Sequence, residues 1–306
     1  MSENTSSKIS DPVVVCTYGP SGIGKTTDCG YSFPRALFLA APGALTSVEK
    51  VCGYIPDRLA VATIEEATAI IEKVGQSKKY KTVVIDDFSF MAEQTFSALE
   101  ANPKFKGFAL WGRMRDIALE FRDRSRYAGV NVILTCWEQP PKTRENGQAV
   151  RGGPQLSGKL PEQIPALCDI VLRSAHDKKR KPWGAVYRCA ADPSYIMKDR
   201  FHIAAQIDPA PMNIGELLRA SGVEIDRLPE IKDQESIVQK ISENLTGKVA
   251  DDMVNANTFY ASLLEKGMPA IYAKWTLRDA IDRAVIRREL ANKSMSFFDL
   301  TPGSLS

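Results

Sequence analysis

Long apolar runs are missing from this chain. No 18 consecutive apolar residues occur in its 306 positions, so the sequence offers no helix to cross a bilayer and no membrane partner is expected. Histidine is scarce, with only His176 and His202, and none of the six cysteines stands in a CxxC pair. A zinc site therefore lacks its usual ligand spacing. A strong charge bias is absent as well: 40 Lys and Arg against 37 Asp and Glu leave a net charge of +3. Contact with a polyanion must then come from local patches rather than from the field of the whole molecule. There is no internal repeat and no low-complexity tract. The first ten residues, MSENTSSKIS, lack an apolar core, which predicts a disordered tail over 1–10 rather than a signal peptide. Cys16, Cys136 and Cys168 fall in or beside apolar strand-like runs, so they read as buried free thiols suited to a reducing cytoplasm.

What is present is ordinary globular material, 44% hydrophobic and 25% charged. This is enough for one large domain, or one domain with an appendage. Strand-like runs at 13–18, 36–41, 81–87, 131–136 and 168–173 alternate with helical spacing at 64–74 and over 88–127. That helical stretch breaks near 102–107, and a short helix is opened by Pro161. Runs at 185–189 and 194–198 suggest a hairpin. Such alternation predicts an α/β fold whose mostly parallel central sheet is flanked by helices. From 213 onward the pattern turns wholly helical, with segments at 213–220, 235–245, 251–266 and 268–292. In the last, Leu277, Ile281 and Val285 share one face while Arg283, Arg287 and Arg288 lie elsewhere. The expected division is a domain over 11–212 and a C-terminal helical appendage over 213–306.

The most specific motif is Gly19-Pro20-Ser21-Gly22-Ile23-Gly24-Lys25-Thr26, a full match to G-x-x-x-x-G-K-[ST], followed by Thr27. Chance produces this pattern in roughly one chain per hundred of this length. A strand precedes it and a helix follows, as phosphate binding requires. The glycines let backbone N–H groups turn toward phosphates, and the helix N-terminus adds partial positive charge. Lys25 is expected on the β- and γ-phosphates, and the Thr26 hydroxyl on magnesium. The implied ligands are ATP and Mg²⁺. Val83-Val84-Ile85-Asp86-Asp87 supplies the companion Walker B strand, with Asp86 as the second magnesium anchor and Asp87 as the group that polarises the attacking water.

Further along, the run at 131–136 ends at Trp137-Glu138, then come Arg151-Gly152-Gly153-Pro154, Gly158-Lys159-Leu160-Pro161 and Lys198-Asp199-Arg200-Phe201. In this order the motifs resemble the small phage ATPases of the RecA/RadA-like group, some of which act in single-strand annealing or recombination. The resemblance covers about 13–201. It implies a RecA-like P-loop NTPase, an ATPase acting on single-stranded DNA, and a homo-oligomeric ring or filament with nucleotide between subunits. A single-strand-binding protein is a further candidate partner. Lys198 and Arg200 match the Lys-Asn-Arg motif that reaches a neighbouring subunit's nucleotide, with Asp in place of Asn and His202 in place of the final Gly. One departure is plain: the strand after the P-loop ends Ala40-Ala41-Pro42-Gly43, where RecA-like proteins usually carry a catalytic Glu. Asp87 or Glu138 must then serve, or hydrolysis is slow.

Lys142, Arg144, Arg151 and Lys159, set among glycines, resemble the DNA-facing loop of that group, since cations on a mobile backbone suit phosphate tracking. A second basic run, Lys178-Lys179-Arg180-Lys181, precedes Trp183. Two rival readings stay open. A small-molecule kinase would need an arginine-rich lid, for which Arg122, Arg124 and Arg126 are candidates. A nucleotide-switched adaptor or loader for a partner protein would suit the missing Glu.

Overall fold

In the computed structural model the described residues are 9, 11–158, 160–177, 184–190, 192–225 and 234–298. The expected tail, Ile9 apart, together with Lys159 and the basic run at 178–181, lies outside them. Ile9 itself bridges to Val223 and packs on the core.

The chain opens with β1 (Val14–Gly19), α1 (Lys25–Ser32), β2 (Leu37–Ala40), a π-helical turn at Val48–Cys52 and β3 (Arg58–Ala60). There follow α2 (Ile64–Ser77), β4 (Thr82–Asp86), α3 (Phe88–Ala101), α4 (Phe108–Tyr127) and β5 (Asn131–Gln139). Local chemistry sets these boundaries. Thr63 and Glu66 form a reciprocal capping box at the head of α2, and Asp87 caps α3 by accepting from the Phe90 N–H, each satisfying helix donors that have no intrahelical partner. Gly107, at φ 55°, turns the chain between α3 and α4.

After β5 come the hairpin β6 (Lys142–Thr143) and β7 (Ala149–Val150), β8 (Gly153–Pro154), α5 (Leu160–Leu167), β9 (Ile170–His176), β10 (Ala185–Arg188) and β11 (Lys198–Asp199). The chain then passes through α6 (Ile203–Ile207), β12 (Ala210–Pro211), α7 (Ile214–Ala220), α8 (Gln234–Glu243), α9 (Val249–Glu265) and α10 (Ala270–Phe298).

The ten-stranded sheet runs β12-β10-β9-β1-β5-β4-β2-β3, with β11 paired to β9 and β8 paired to β5 beside this path. From β9 to β3 every neighbouring pair is parallel. This is the RecA-like P-loop architecture, in which one strand, β5, separates β1 from β4. The expected hairpin between 185–189 and 194–198 does not form. β10 pairs antiparallel with Arg173–His176 of β9, and β11 pairs antiparallel with Ile170 and Val171 of the same strand. The seven-residue β9 offers one long free edge, and the two short strands share it end to end instead of pairing with each other.

Alternation along the strands sends side chains to two faces. Cys16, Tyr18, Leu134 and Val171 join the core beneath α2–α5, while Val15, Ile133 and Leu172 join the core beneath α1, α6, α7 and α10. All six cysteines are free and buried. The C-terminal helices are split in role. Ile214, Leu217, Trp275 and Ile286 belong to the α1-side core, whereas Val238, Ile241, Leu263, Leu277 and Ile281 build a separate cluster of α8, α9 and α10. Helix α10 thus buries two stripes, of which the Leu277–Ile281 one is visible as sequence periodicity. Among the described residues, no helix is long and apolar enough to cross a membrane.

Candidate nucleotide-binding site

The phosphate loop connects the end of β1 to α1. Gly24 is the N-cap of α1 at φ 106°, and Gly22 sits at φ 77°. A Cβ at either would meet no atom within 4 Å, so glycine is required there by backbone conformation rather than by space. The first intrahelical bond is Asp28 N–H to Gly24 C=O, 2.8 Å. The amides of Lys25, Thr26 and Thr27 accordingly have no helical acceptor and are free for an anion. Gly19 is the exception on space, since a Cβ there would lie 2.6 Å from the Ser174 carbonyl oxygen.

Lys25 is buried, and its ammonium donates to the carbonyls of Gly19 and Pro20 at 2.8 and 2.9 Å. Burial lowers its pKa, opposed chiefly by the Asp86 charge. The Thr26 hydroxyl donates to both Asp86 carboxylate oxygens at 3.0 Å, and the Thr135 hydroxyl donates to Oδ1 at 2.6 Å. Asp86 is thus aimed at the start of α1 by the strand lying between β1 and β4. Burial raises its pKa, while the Thr135 and Thr26 hydrogen bonds oppose the rise. The donor set fits magnesium: one hydroxyl and one carboxylate, both hard oxygens, leave room for phosphate oxygens and water in an octahedral shell. Among the described residues, no group of three or more His, Cys, Asp or Glu is arranged to hold a metal.

The two candidate bases stand differently. Asp87 follows Asp86 directly, and its Oδ1 accepts from the Phe90 N–H at 2.6 Å. Its pKa is pushed up to about 6, first by burial and also by the Asp86 charge. Glu138 lies near the end of β5, where Arg173 grips its Oε1 from Nε at 3.1 Å and from Nη2 at 2.9 Å. The Arg173 guanidinium in turn lies 3.7 Å over the Tyr195 ring.

Lys198 and Arg200 are not brought to the phosphate loop. They lie at the start of β9, where β11 pairs, whereas the P-loop follows the end of the parallel β1. Lys198 donates to the Cys168 carbonyl at 2.8 Å and to that of Pro165, and Arg200 binds Asp169 at 2.6 Å. Within the chain both groups are tied down, fastening the loop between α5 and β9.

The cationic loop is carried by β5 beyond the phosphate edge. Lys142, Arg144 and Arg151 are exposed and line a cleft of about 570 Å³. Arg144 also bonds Gln148 at 3.0 Å, and Arg151 donates to the Tyr195 carbonyl. Arg124 and Arg126 pair with Glu72 and Asp169, and Arg122 with its neighbour Asp123, which leaves no arginine lid over the loop from α4.

Several residues of the site carry no motif that sequence reasoning could have used. Thr135, a polar residue inside an apolar strand, orients Asp86. Arg173, a charge in the middle of β9, holds Glu138. Asp28 is 3% exposed and accepts from Tyr187 Oη at 2.6 Å, Ile214 N–H at 3.1 Å and Arg278 Nη2 at 2.5 Å. It joins the phosphate-loop helix to α7 and α10, residues nearly 190 and 250 positions away.

A family model described as an AAA domain matches residues 11–201. The chain belongs to this AAA-domain family. The matched range contains both the Gly19–Thr26 loop and β4. The matched AAA domain ends at Phe201, so α6–α10 lie beyond it. No curated protein sequence matches the chain. Among solved structures, a KaiC-like protein from the hyperthermophilic archaeon Pyrococcus horikoshii aligns at 14% identity with a TM-score of 0.36, covering 58% of this chain and 78% of that one.

Proposed function

We propose that the protein is a magnesium-dependent ATPase of the RecA/RadA-like kind that acts on single-stranded DNA, in a phage recombination, annealing or replication setting. The observation that carries the ATPase reading is the Lys25–Thr26–Asp86–Thr135 constellation, with Thr26 and Thr135 both hydrogen-bonded to one buried carboxylate. On nucleotide binding Lys25 exchanges the Gly19 and Pro20 carbonyls for phosphate oxygens, and the free amides of 25–27 take the rest. Bound magnesium, held by Thr26 and Asp86, would neutralise charge between the β- and γ-phosphates. Asp87, beside Asp86 and half-buried, is the group we assign to orient the attacking water.

Asp87→Asn is therefore expected to lower ATP turnover on the order of 100-fold, the usual worth of a positioned base, while ATP affinity changes little. Phosphate-release kinetics check this. Normal turnover in Asp87→Asn together with loss in Glu138→Gln would move the role to Glu138.

The DNA reading is supported by Lys142, Arg144 and Arg151 around one cleft at the end of the strand that also carries Thr135. Neutralising all three should weaken single-strand binding and reduce the log–log salt slope by about two, at ~0.7 for each phosphate no longer neutralised. An unchanged slope would remove this cleft from the interface. Steady-state ATP hydrolysis with and without single-stranded DNA tests the whole reading, and stimulation is the expected result.

An adaptor or loader that uses nucleotide as a switch is favoured by one feature. Both candidate carboxylates already have partners, Asp87 as a helix cap and Glu138 on Arg173. Slow hydrolysis indifferent to DNA would select it. The proposed assembly remains a ring or filament with nucleotide between subunits, and Lys198 and Arg200 remain its candidate trans cations.

A further inference from the structure

A cleft of about 550 Å³ opens beside the phosphate loop, between α1 and the helices α9 and α10 beyond the AAA domain. Its size falls within the ~300–1,000 Å³ typical of small-ligand sites. On α1 it is lined by Gly24, Thr27, Asp28 and Tyr31, spaced i, i+3, i+4 and i+7, so one helical face runs from the phosphate loop down the cleft wall. On α10 the same spacing recurs in Lys274, Leu277, Arg278 and Ile281. Two aliphatic side chains thus make an apolar wall, with a cation at its rim. Helix α9 contributes Asn257 and Tyr260, an amide with both donors and an acceptor and a ring with a polar tip. Arg278 is about nine-tenths buried, and its Nη1 has no hydrogen-bond partner.

We infer that this cleft receives the nucleoside of the nucleotide whose phosphates sit on the Gly19–Thr26 loop, so that α9 and α10 hold and select the base. The inference rests on nucleotide binding at that loop. Continuity is the argument. Thr27, the last residue with a free helix N-terminal amide, also lines the cleft, so a nucleotide with its phosphates on those amides has its sugar and base directed along the Gly24–Tyr31 face. An apolar slot with one amide and few charged groups fits a flat heterocycle, and Lys274 stands at the cleft edge within the same stripe. Asn257, Tyr260 and Lys274 are positioned to determine nucleotide specificity.

The test compares ATP with inorganic tripolyphosphate, both with magnesium, on the full chain and on an Asn257→Ala, Lys274→Ala double variant. Both substituted residues are exposed, and an unchanged melting temperature verifies the fold. The expected result is ATP binding weakened about 10-fold or more, with tripolyphosphate binding unchanged, since only the nucleoside contacts are removed. Equal weakening of both ligands, or no change in either, overturns the nucleoside site while leaving the phosphate loop standing. If the parent chain binds neither ligand, nucleotide binding itself fails and the inference fails with it.

Discussion

Asp28→Ala is expected to destabilise the protein by about 3–5 kcal/mol, the usual cost of removing one partner of a buried ion pair. Arg278 reaches Asp28 at 2.5 Å, and the same carboxylate accepts from Tyr187 and from the Ile214 amide. Removing it strands three buried donors at once. Burial by itself pushes the Asp28 carboxyl above its ordinary range, and Arg278 is the largest opposing influence. Asp282, 3.9 Å from Arg278 Nε, recovers only part of the loss. A double variant, Asp28→Ala with Arg278→Leu, should be more stable than Asp28→Ala alone, because no unpaired charge remains inside. Urea unfolding measures both. A single variant as stable as the parent would show that α10 is not locked to the phosphate-loop helix.

Lys25→Ala is expected to weaken binding of magnesium–ATP on the order of 100-fold or more. Two charge-assisted hydrogen bonds are removed, each worth ~1.5–3 kcal/mol, and ~3–6 kcal/mol corresponds to at least that factor. Stability should hardly change. Lys25 is desolvated, so its charge is a burden in the free protein, offset by the Gly19 and Pro20 carbonyls and by Asp86. Of the two, Pro20 is exposed and its carbonyl can turn to water, while the carbonyl of buried Gly19 loses one partner. Competition against a fluorescent ATP analogue gives the affinity, and thermal unfolding gives the stability. Retained affinity would detach Lys25 from the phosphates.

Much of this site could be read from the sequence because its geometry is local. The P-loop spans eight consecutive residues, and its strand-loop-helix context is set by neighbours. The Walker B strand likewise announces itself as an apolar run ending in carboxylates, and both α3 and α4 were legible from a break holding Pro103 and Gly107. What stayed hidden depends on residues distant in the chain. Nothing near Asp28 announces that Arg278 will meet it, and Thr135 gains its role only because β5 inserts between β1 and β4. The intrachain partners of Lys198 and Arg200 were hidden for the same reason. A basic pair after a strand looks free in sequence, but here β11 lies on the far end of β9 and Asp169 waits beside it. The antiparallel edge was missed because pairing of β10 and β11 with β9 is a matter of sheet position, which strand propensity does not encode.

The most direct test of nucleotide binding is a calorimetric titration of the intact chain with ATP, with and without magnesium, alongside Lys25→Ala. The expected result is saturable binding of one nucleotide per chain, tighter with magnesium because Thr26 and Asp86 then have an ion to hold, and largely abolished in Lys25→Ala. Absence of binding to the parent chain, or equally tight binding to Lys25→Ala, would contradict the assignment of Gly19–Thr26 as the phosphate site.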